Sequence, residues 1–144
     1  MLAYRHAFHA GNHADVLKHI VLMQVLKHMA EKDKPFTLID THAGAGGYSL
    51  EGRYAQTKAE YQDGIARLLM QDEQPAAVSE YIALVREFNG GGDALTQYPG
   101  SPAIANHLMR PGDALQCFEL HPTDERILRA FLRESRARPN AQVH

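Results

Sequence analysis

Apolar positions along the chain follow two spacings, and together these spacings predict an α/β protein. Short apolar runs, "FTLID" at 36 to 40 and "LQCFEL" at 115 to 120, predict buried strands, and "NAQVH" looks like the start of a third. Apolar residues at helical spacing predict further helices at about 57–71, 75–88, 101–109 and 124–134. Strands that alternate with helices indicate a parallel sheet with crossover connections.

The longest predicted helix covers about residues 13 to 31, with Asn12 as its N-cap. We expect its core-facing stripe to contain four residues at i, i+4 spacing, widened by three more: Leu17, Val21, Val25 and Met29, then Ile20, Leu22 and Leu26. Ser101, followed by Pro102, is the predicted N-cap of a short helix, and Thr123 is the predicted N-cap of the last one.

Composition restricts the protein to a few classes. At 144 residues and 44% hydrophobic, the chain suits one domain with a buried core. A formal charge of -2 excludes an overall basic field for nucleic acid. The single cysteine, Cys117, excludes an internal disulfide and is expected to be a small buried hydrophobe. No apolar window approaches the roughly 18 residues of a membrane span, so we expect a cytoplasmic protein without a membrane partner.

A glycine-rich turn follows the first predicted strand. In "DTHAGAGGY", Gly44, Gly46 and Gly47 come soon after Asp40 and His42. Ligands of parallel sheets bind beyond the carboxyl ends of the strands, and glycines let the backbone approach them closely. The third glycine directly follows the second, so the pattern departs from the G-x-G-x-x-G fingerprint and disfavours a nicotinamide dinucleotide. Taken alone, the turn is equally typical of a tight connection.

A carboxylate at the end of the second predicted strand, Glu119, stands where such sites accept hydrogen bonds from ribose hydroxyls. It lies far beyond the glycine turn, and the mostly helical stretch 53–100 is interpreted as an insert between the two. A solvated strand-end carboxylate is the alternative for Glu119.

Other chemistries have weaker signals. His9 and His13 are four residues apart, but there is no H-E-x-x-H and no cysteine partner, so no metal is expected. G-x-S-x-G and Walker motifs are absent. A run of arginines near the end of the chain suits either RNA phosphates or a solvated helix face: Arg126, Arg129, Arg133, Arg136 and Arg138.

Five sequence blocks carry a family resemblance. In chain order they are "YRHAFHAGNHADVLKH", "DTHAGAGGY", "YPGSP", "ELHP" and "SRAR". They resemble bacterial 23S ribosomal RNA adenine-N6 methyltransferases of the RlmJ type over essentially the whole chain. The resemblance implies a Rossmann-like S-adenosylmethionine-dependent methyltransferase fold with an inserted helical subdomain. It divides the chain into 1–52, a helical insert at 53–100, and 101–144, with an incomplete parallel sheet.

The resemblance also implies site residues, position by position. Cofactor-binding positions are His19, His42, Ser101 and Glu119, with Gly44 in the loop and Lys18 near the active site. Positions associated with the 23S ribosomal RNA substrate are Tyr4 and His6. The alternatives are a packing or surface aromatic for Tyr4 and a solvated helix charge for Lys18. The family implies a monomer.

One expected motif is missing. Transfer to an adenine amine usually requires an Asp/Asn-Pro-Pro-aromatic tetrad, and the 144 residues contain none. In the family the catalytic Asp of that motif lies downstream of "SRAR", which places it beyond His144, the last residue of this sequence. We therefore expect no catalytic residue within this chain, no methyl transfer by it alone, and low stability. Two alternatives stay open: a non-catalytic fragment with a partial cofactor or RNA site, and a nicotinamide-dependent oxidoreductase.

Overall fold

A computed structural model describes residues 4–144. In chain order the helices are α1 His13–Ala30, α2 Arg53–Lys58, α3 Ile65–Leu69, α4 Ala76–Phe88, α5 Ser101–Leu108 and α6 Pro122–Glu134, with 3-10 turns at His6–Phe8 and Glu60–Gln62. The strands are β1 Thr37–Asp40, β2 Gly47–Ser49, β3 Gln97–Pro99, β4 Ala114–Cys117 and β5 Asn140–Val143. Within the described range, no helix combines the length and apolar character needed to cross a membrane.

The three predicted strands form one parallel sheet in the order β1-β4-β5. Thr37 pairs with Ala114 at one end of β1 and Asp40 with Cys117 at the other. This confirms the predicted α/β class with a parallel sheet. Sequence reasoning missed a second, antiparallel sheet, in which β2 pairs with β3. Each of these strands has only three residues, too few to show a period.

The predicted helix at 57–71 is wrong. The segment contains two short helices with a 3-10 turn between them. Ala59 takes a left-handed conformation with φ of 49°, which ends α2. Gly64 then packs against the backbone of Gly11, where a Cβ would lie 2.0 Å from the carbonyl oxygen. Close packing of two backbones therefore interrupts a segment whose apolar spacing favours a continuous helix.

The Asn12 cap is confirmed, because its side chain accepts a hydrogen bond from the Asp15 N–H at 2.9 Å. The other two predicted caps are wrong. Gly100 occupies the N-cap position of α5, and the Ser101 hydroxyl bonds to Asp40. At α6, the cap is His121, whose Nδ1 accepts from the Thr123 N–H.

The buried face of α1 differs from the predicted one. All four residues of the expected stripe are exposed, by 65, 54, 51 and 44% respectively: Leu17, Val21, Val25 and Met29. The buried residues are Asp15, His19, Met23 and Leu26, of which only Leu26 was predicted, while the predicted Ile20 and Leu22 pack partly buried against the core. Since α1 carries apolar residues around most of its circumference, apolar spacing alone could not identify the buried side. On α4, by contrast, the apolar residues Ile82 and Val85 are both buried.

Two core clusters meet along α1 and α5. The first joins α1, α3 and α4 to the small sheet, with Ile65, Tyr81 and Tyr98 among its fully buried members. The second covers one face of the parallel sheet with Leu26 from α1 and Leu128 from α6. As a result, α1 is held between the small sheet and the parallel sheet, and its first turns lie beside the carboxyl ends of the parallel strands.

Candidate functional site

A cavity of about 550 Å³ opens at the carboxyl ends of β1 and β4. It is lined by all eight cofactor and substrate residues that the resemblance indicated: Tyr4, His6, Lys18, His19, His42, Gly44, Ser101 and Glu119. These residues come from the N-terminal segment, α1, the glycine turn, α5 and the segment after β4. The fold therefore gathers them around one space, while the role of each stays a prediction.

The glycine turn holds its shape through backbone conformation and one carboxylate. Gly44 has φ of +64°, and a Cβ there would lie 2.0 Å from the Tyr48 hydroxyl oxygen, so no other residue fits without movement. The Gly44 N–H donates to Glu119 Oε2 at 2.9 Å, and the His121 N–H donates to Oε1 at 2.7 Å. Glu119 is thus fixed against the turn although 75 residues separate it from Gly44.

Asp40, the last residue of β1, organises the floor of the cavity. Its Oδ2 accepts from the Ser101 hydroxyl at 2.5 Å, which joins α5 to the end of the strand. Its Oδ1 accepts from the His42 N–H at 3.2 Å. The His42 side chain is exposed, and its Nδ1 lies 3.0 Å from the Thr41 hydroxyl. Asp40 therefore positions Ser101 and His42, two predicted cofactor residues, although Asp40 itself was not predicted to bind the cofactor.

Sequence reasoning missed Asp15, a carboxylate only 1% exposed in the first turn of α1. Its Oδ2 lies 2.6 Å from His6 Nε2 and accepts from the Gly11 N–H at 3.1 Å. Its Oδ1 lies 3.2 Å from Lys18 Nζ. Burial by itself raises the pKa of Asp15, but the hydrogen bond and charge of His6 hold that pKa below its ordinary value. Asp15 therefore stays ionised and positions two predicted site residues. The sequence did contain a signal for Asp15, because it is an acidic residue at the third helical position after the Asn12 cap.

Contacts of Arg5 hold the N-terminal segment beside the cavity. Arg5 forms an ion pair of 2.7 Å with the buried Asp124 of α6, and its guanidinium lies 4.5 Å from the ring centroid of Tyr54. Tyr4 is 65% exposed, stacks on His9 at 5.6 Å between ring centroids, and its hydroxyl lies 2.9 Å from His6 Nδ1. An aromatic face is thus held at the cavity mouth. Contacts across 119 residues, such as the one between Arg5 and Asp124, leave no trace in local sequence.

His19 forms a buried part of the cavity wall. Its side chain is 7% exposed, and Nδ1 lies 2.8 Å from the Tyr98 hydroxyl oxygen. That hydroxyl lies 2.6 Å from the hydroxyl of Tyr81. Burial lowers the pKa of His19 to about 4, against the opposing effect of Asp15. The imidazole is therefore neutral at neutral pH.

His144, beyond which the resemblance places the catalytic Asp, lies outside the lining of the cavity. It directly follows β5, and its N–H donates to the Cys117 carbonyl oxygen at 2.8 Å. Its Nε2 lies 2.6 Å from Gln116 Oε1, and its ring stacks on Phe118 with 4.7 Å between ring centroids. These contacts extend the pairing of β4 with β5, so His144 has a structural position at the end of the sheet. The position of the expected Asp stays a prediction.

Away from the cavity, two expectations can be compared with the structure. Cys117 is fully buried, as expected, and burial raises its pKa to about 12, which keeps it a neutral thiol. In the arginine run, Arg129 pairs with Glu125 and donates to the Val143 carbonyl oxygen, while Arg138 donates to the His107 carbonyl oxygen. Across residues 4–144, no three His, Cys, Asp or Glu side chains lie close enough together to hold a metal ion.

Comparisons with known proteins cover most of the chain. Residues 33–143 match the family model described as "Ribosomal RNA large subunit methyltransferase D, RlmJ". Two proteins named Ribosomal RNA large subunit methyltransferase J match as well. The one from Escherichia coli K12 is 54% identical over 139 residues, and the one from Haemophilus influenzae Rd is 47% identical over 129 residues. These alignments cover 96% and 90% of this chain, but 49% and 46% of the relatives.

A solved structure shows the same fold. The crystal structure of a protein from Legionella pneumophila strain Philadelphia 1, of the family model DUF519, superposes with a TM-score of 0.79 at 35% identity. The match covers 94% of this chain and 47% of that one. The chain therefore spans about half the length of the relatives that it matches.

Proposed function

Because the chain belongs to the RlmJ family of ribosomal RNA large subunit methyltransferases, we propose that it binds S-adenosylmethionine in the cavity beyond β1 and β4. One observation carries the proposal. The glycine turn, with its left-handed Gly44, lies in hydrogen-bond contact with the carboxylate of Glu119, across adjacent parallel strands. Turn and strand-end carboxylate are the two parts of a nucleoside-binding site in this class of fold.

The residues present fit such a ligand. A volume of about 550 Å³ lies within the range of roughly 300–1,000 Å³ that is usual for small-molecule sites. A Cβ at Gly44 would collide with Tyr48, so the turn takes this shape without movement only as glycine. Each carboxylate oxygen of Glu119 accepts one backbone N–H, which leaves acceptor capacity for ribose hydroxyls. His19, His42 and Ser101 line the same space.

S-adenosylmethionine, when bound, supplies an electrophilic methyl group on a sulfonium, which an amine can accept without a metal. The chain's own residues bind the cofactor and orient the substrate beside it. Tyr4 presents an exposed aromatic face on which an unpaired adenine can stack, and His6 and Lys18 are held beside it by Asp15. In this proposal the substrate is the N6 amine of an adenine in 23S ribosomal RNA, which a monomer of the relatives' full length modifies in the cytoplasm.

Binding and transfer are proposed to be separable in this chain. The sequence holds no Asp/Asn-Pro-Pro-aromatic tetrad that would accept the amine hydrogens, and the chain matches about half of each relative's length. We therefore expect residues 1–144 to bind the cofactor and to show no methyl transfer alone.

Titration calorimetry with S-adenosylhomocysteine tests the binding claim. The unsubstituted chain is expected to release heat, and Glu119→Ala is expected to weaken binding by roughly tenfold or more, since bonds to a charged acceptor are lost. The matched control is Glu134→Ala on α6, an exposed carboxylate outside the cavity. The absence of heat in the unsubstituted chain would refute the proposal, and heat with NADH instead would favour the oxidoreductase alternative.

A further inference from the structure

Three buried groups form a chain of hydrogen bonds that ends at the cavity. Tyr81 on α4 and Tyr98 on β3 are both 0% exposed, and their hydroxyl oxygens are 2.6 Å apart. The Tyr98 hydroxyl also lies 2.8 Å from Nδ1 of His19, whose ring packs on Tyr98 with 5.5 Å between ring centroids. Neither tyrosine lines the cavity, and only Tyr98 contacts His19 directly.

Only one direction of these bonds satisfies every hydrogen. Burial raises the pKa of both phenols, so each keeps its proton and each O–H needs an acceptor. If Tyr81 donates to Tyr98, and Tyr98 donates to His19 Nδ1, both hydrogens have acceptors. In the reverse direction Tyr81 would be the last donor, and within residues 4–144 its hydroxyl has no other partner. A buried donor without an acceptor is strongly unfavourable, so the first direction prevails.

The direction determines which nitrogen of His19 carries hydrogen. Since Nδ1 accepts from Tyr98, the neutral ring must carry its proton on Nε2. No described residue bonds to Nε2, yet Nε2 is absent from the buried polar atoms that lack a partner, so it reaches open space. His19 borders the cavity, and this space is therefore the cavity.

We propose that Tyr98 is a positioning residue that locks His19 as its Nε2–H tautomer, with Tyr81 donating to the Tyr98 oxygen behind it, and thereby presents a neutral hydrogen-bond donor to the ligand. The complementary ligand atom is an oxygen acceptor, such as a carboxylate or hydroxyl oxygen. That this ligand is S-adenosylmethionine rests on the proposed function. Both tyrosines lie between residues 53 and 100, so the predicted insert contributes to the cofactor pocket through these hydroxyls.

The tautomer can be measured without any ligand. In the chain labelled with ¹⁵N-histidine, two-bond proton–nitrogen correlations at neutral pH identify which ring nitrogen is protonated. The His19 signals are assigned by their loss in His19→Gln. We expect a protonated Nε2 and an unprotonated Nδ1 that is shifted by hydrogen bonding. A protonated Nδ1 would overturn the proposal.

Two phenylalanine variants test the relay. Tyr98→Phe removes the donor to Nδ1 but keeps the ring, so the hydrogen-bond shift at Nδ1 should disappear and S-adenosylhomocysteine should bind roughly three- to tenfold more weakly. Tyr81→Phe removes only the far hydroxyl, and the tautomer should stay unchanged. An unaltered Nδ1 signal in Tyr98→Phe, or a new tautomer in Tyr81→Phe, would contradict the relay.

The matched control is Tyr61→Phe, since the Tyr61 hydroxyl bonds to Gln56 and does not line the cavity. It should leave both the His19 signals and the affinity unchanged. The two proposals fail in different ways. Loss of calorimetric heat in the unsubstituted chain counts against cofactor binding, whereas the tautomer in the free chain tests the tyrosine relay alone.

Discussion

At the scale of single residues, the shape of the glycine turn depends on the absence of a side chain at Gly44. Gly44 has a left-handed backbone and lies against the Tyr48 hydroxyl. Gly44→Ala is therefore expected to lower the free energy of unfolding by about 1–3 kcal/mol, from backbone strain and overpacking together. Gly44→Ala combined with Tyr48→Phe should recover part of this loss, because the clashing oxygen is removed while the strained φ remains. Denaturant unfolding measures both.

Gly92→Ala is the matched control for Gly44, since a Cβ at Gly92 meets nothing within 4 Å. It should change the free energy of unfolding by about 0.5 kcal/mol or less. If Gly44→Ala behaved like this control, the turn would not have the rigid geometry described for it.

At the scale of elements, α1 shows how tertiary packing chooses among several apolar faces. Neighbouring residues on this helix have opposite environments, since Leu26 is 2% exposed and Val25 is 51% exposed. We expect Leu26→Ala to lower the free energy of unfolding by about 2–5 kcal/mol through a core cavity. Val25→Ala should cost about 1 kcal/mol or less. Thermal or denaturant unfolding distinguishes them, and a larger loss for Val25→Ala would show that the predicted stripe of Leu17, Val21, Val25 and Met29 does face the core.

At the scale of the whole molecule, burial of a histidine in the cavity wall links stability to pH. The pKa of His19 is about 4 when folded and about 6.5 when unfolded, so the unfolded chain binds the extra proton first as pH falls. The contribution of His19 to the free energy of unfolding is fully present above pH 6.5 and is lost as pH falls towards 4. The total loss is on the order of 3 kcal/mol. Charged groups facing the ring are Asp15, His6 and Lys18.

The measurement is the free energy of unfolding from about pH 7.5 to about pH 3.5, a window that spans the two His19 pKa values, for the unsubstituted chain and for His19→Gln. The substituted chain should show a clearly shallower decrease in this window. Asp15 contributes with the same sign but lower in pH, because its folded pKa is depressed below an already acidic value. Equal slopes in the two proteins would show that His19 is not buried as a neutral group.

The amino-acid sequence by itself determined the α/β class, the three parallel strands, the Asn12 cap and the position of the glycine turn. Each of these depends on local spacing or on the conformational limits of one residue type, which a sequence displays directly. The family blocks also indicated eight residues that the fold brings to one cavity.

Tertiary structure alone decided the buried face of α1, the break at Gly64, the small β2-β3 sheet and the partners of Ser101. Only the fold brings Asp15 to His6 and Lys18, and Tyr81 and Tyr98 to His19. Most of these features depend on contacts between groups that are distant in sequence. The buried face of α1 depends instead on which side of the helix the rest of the fold packs against. Hydrogen bonding and excluded volume act over a few ångströms in space, so such choices appear only once the chain is folded.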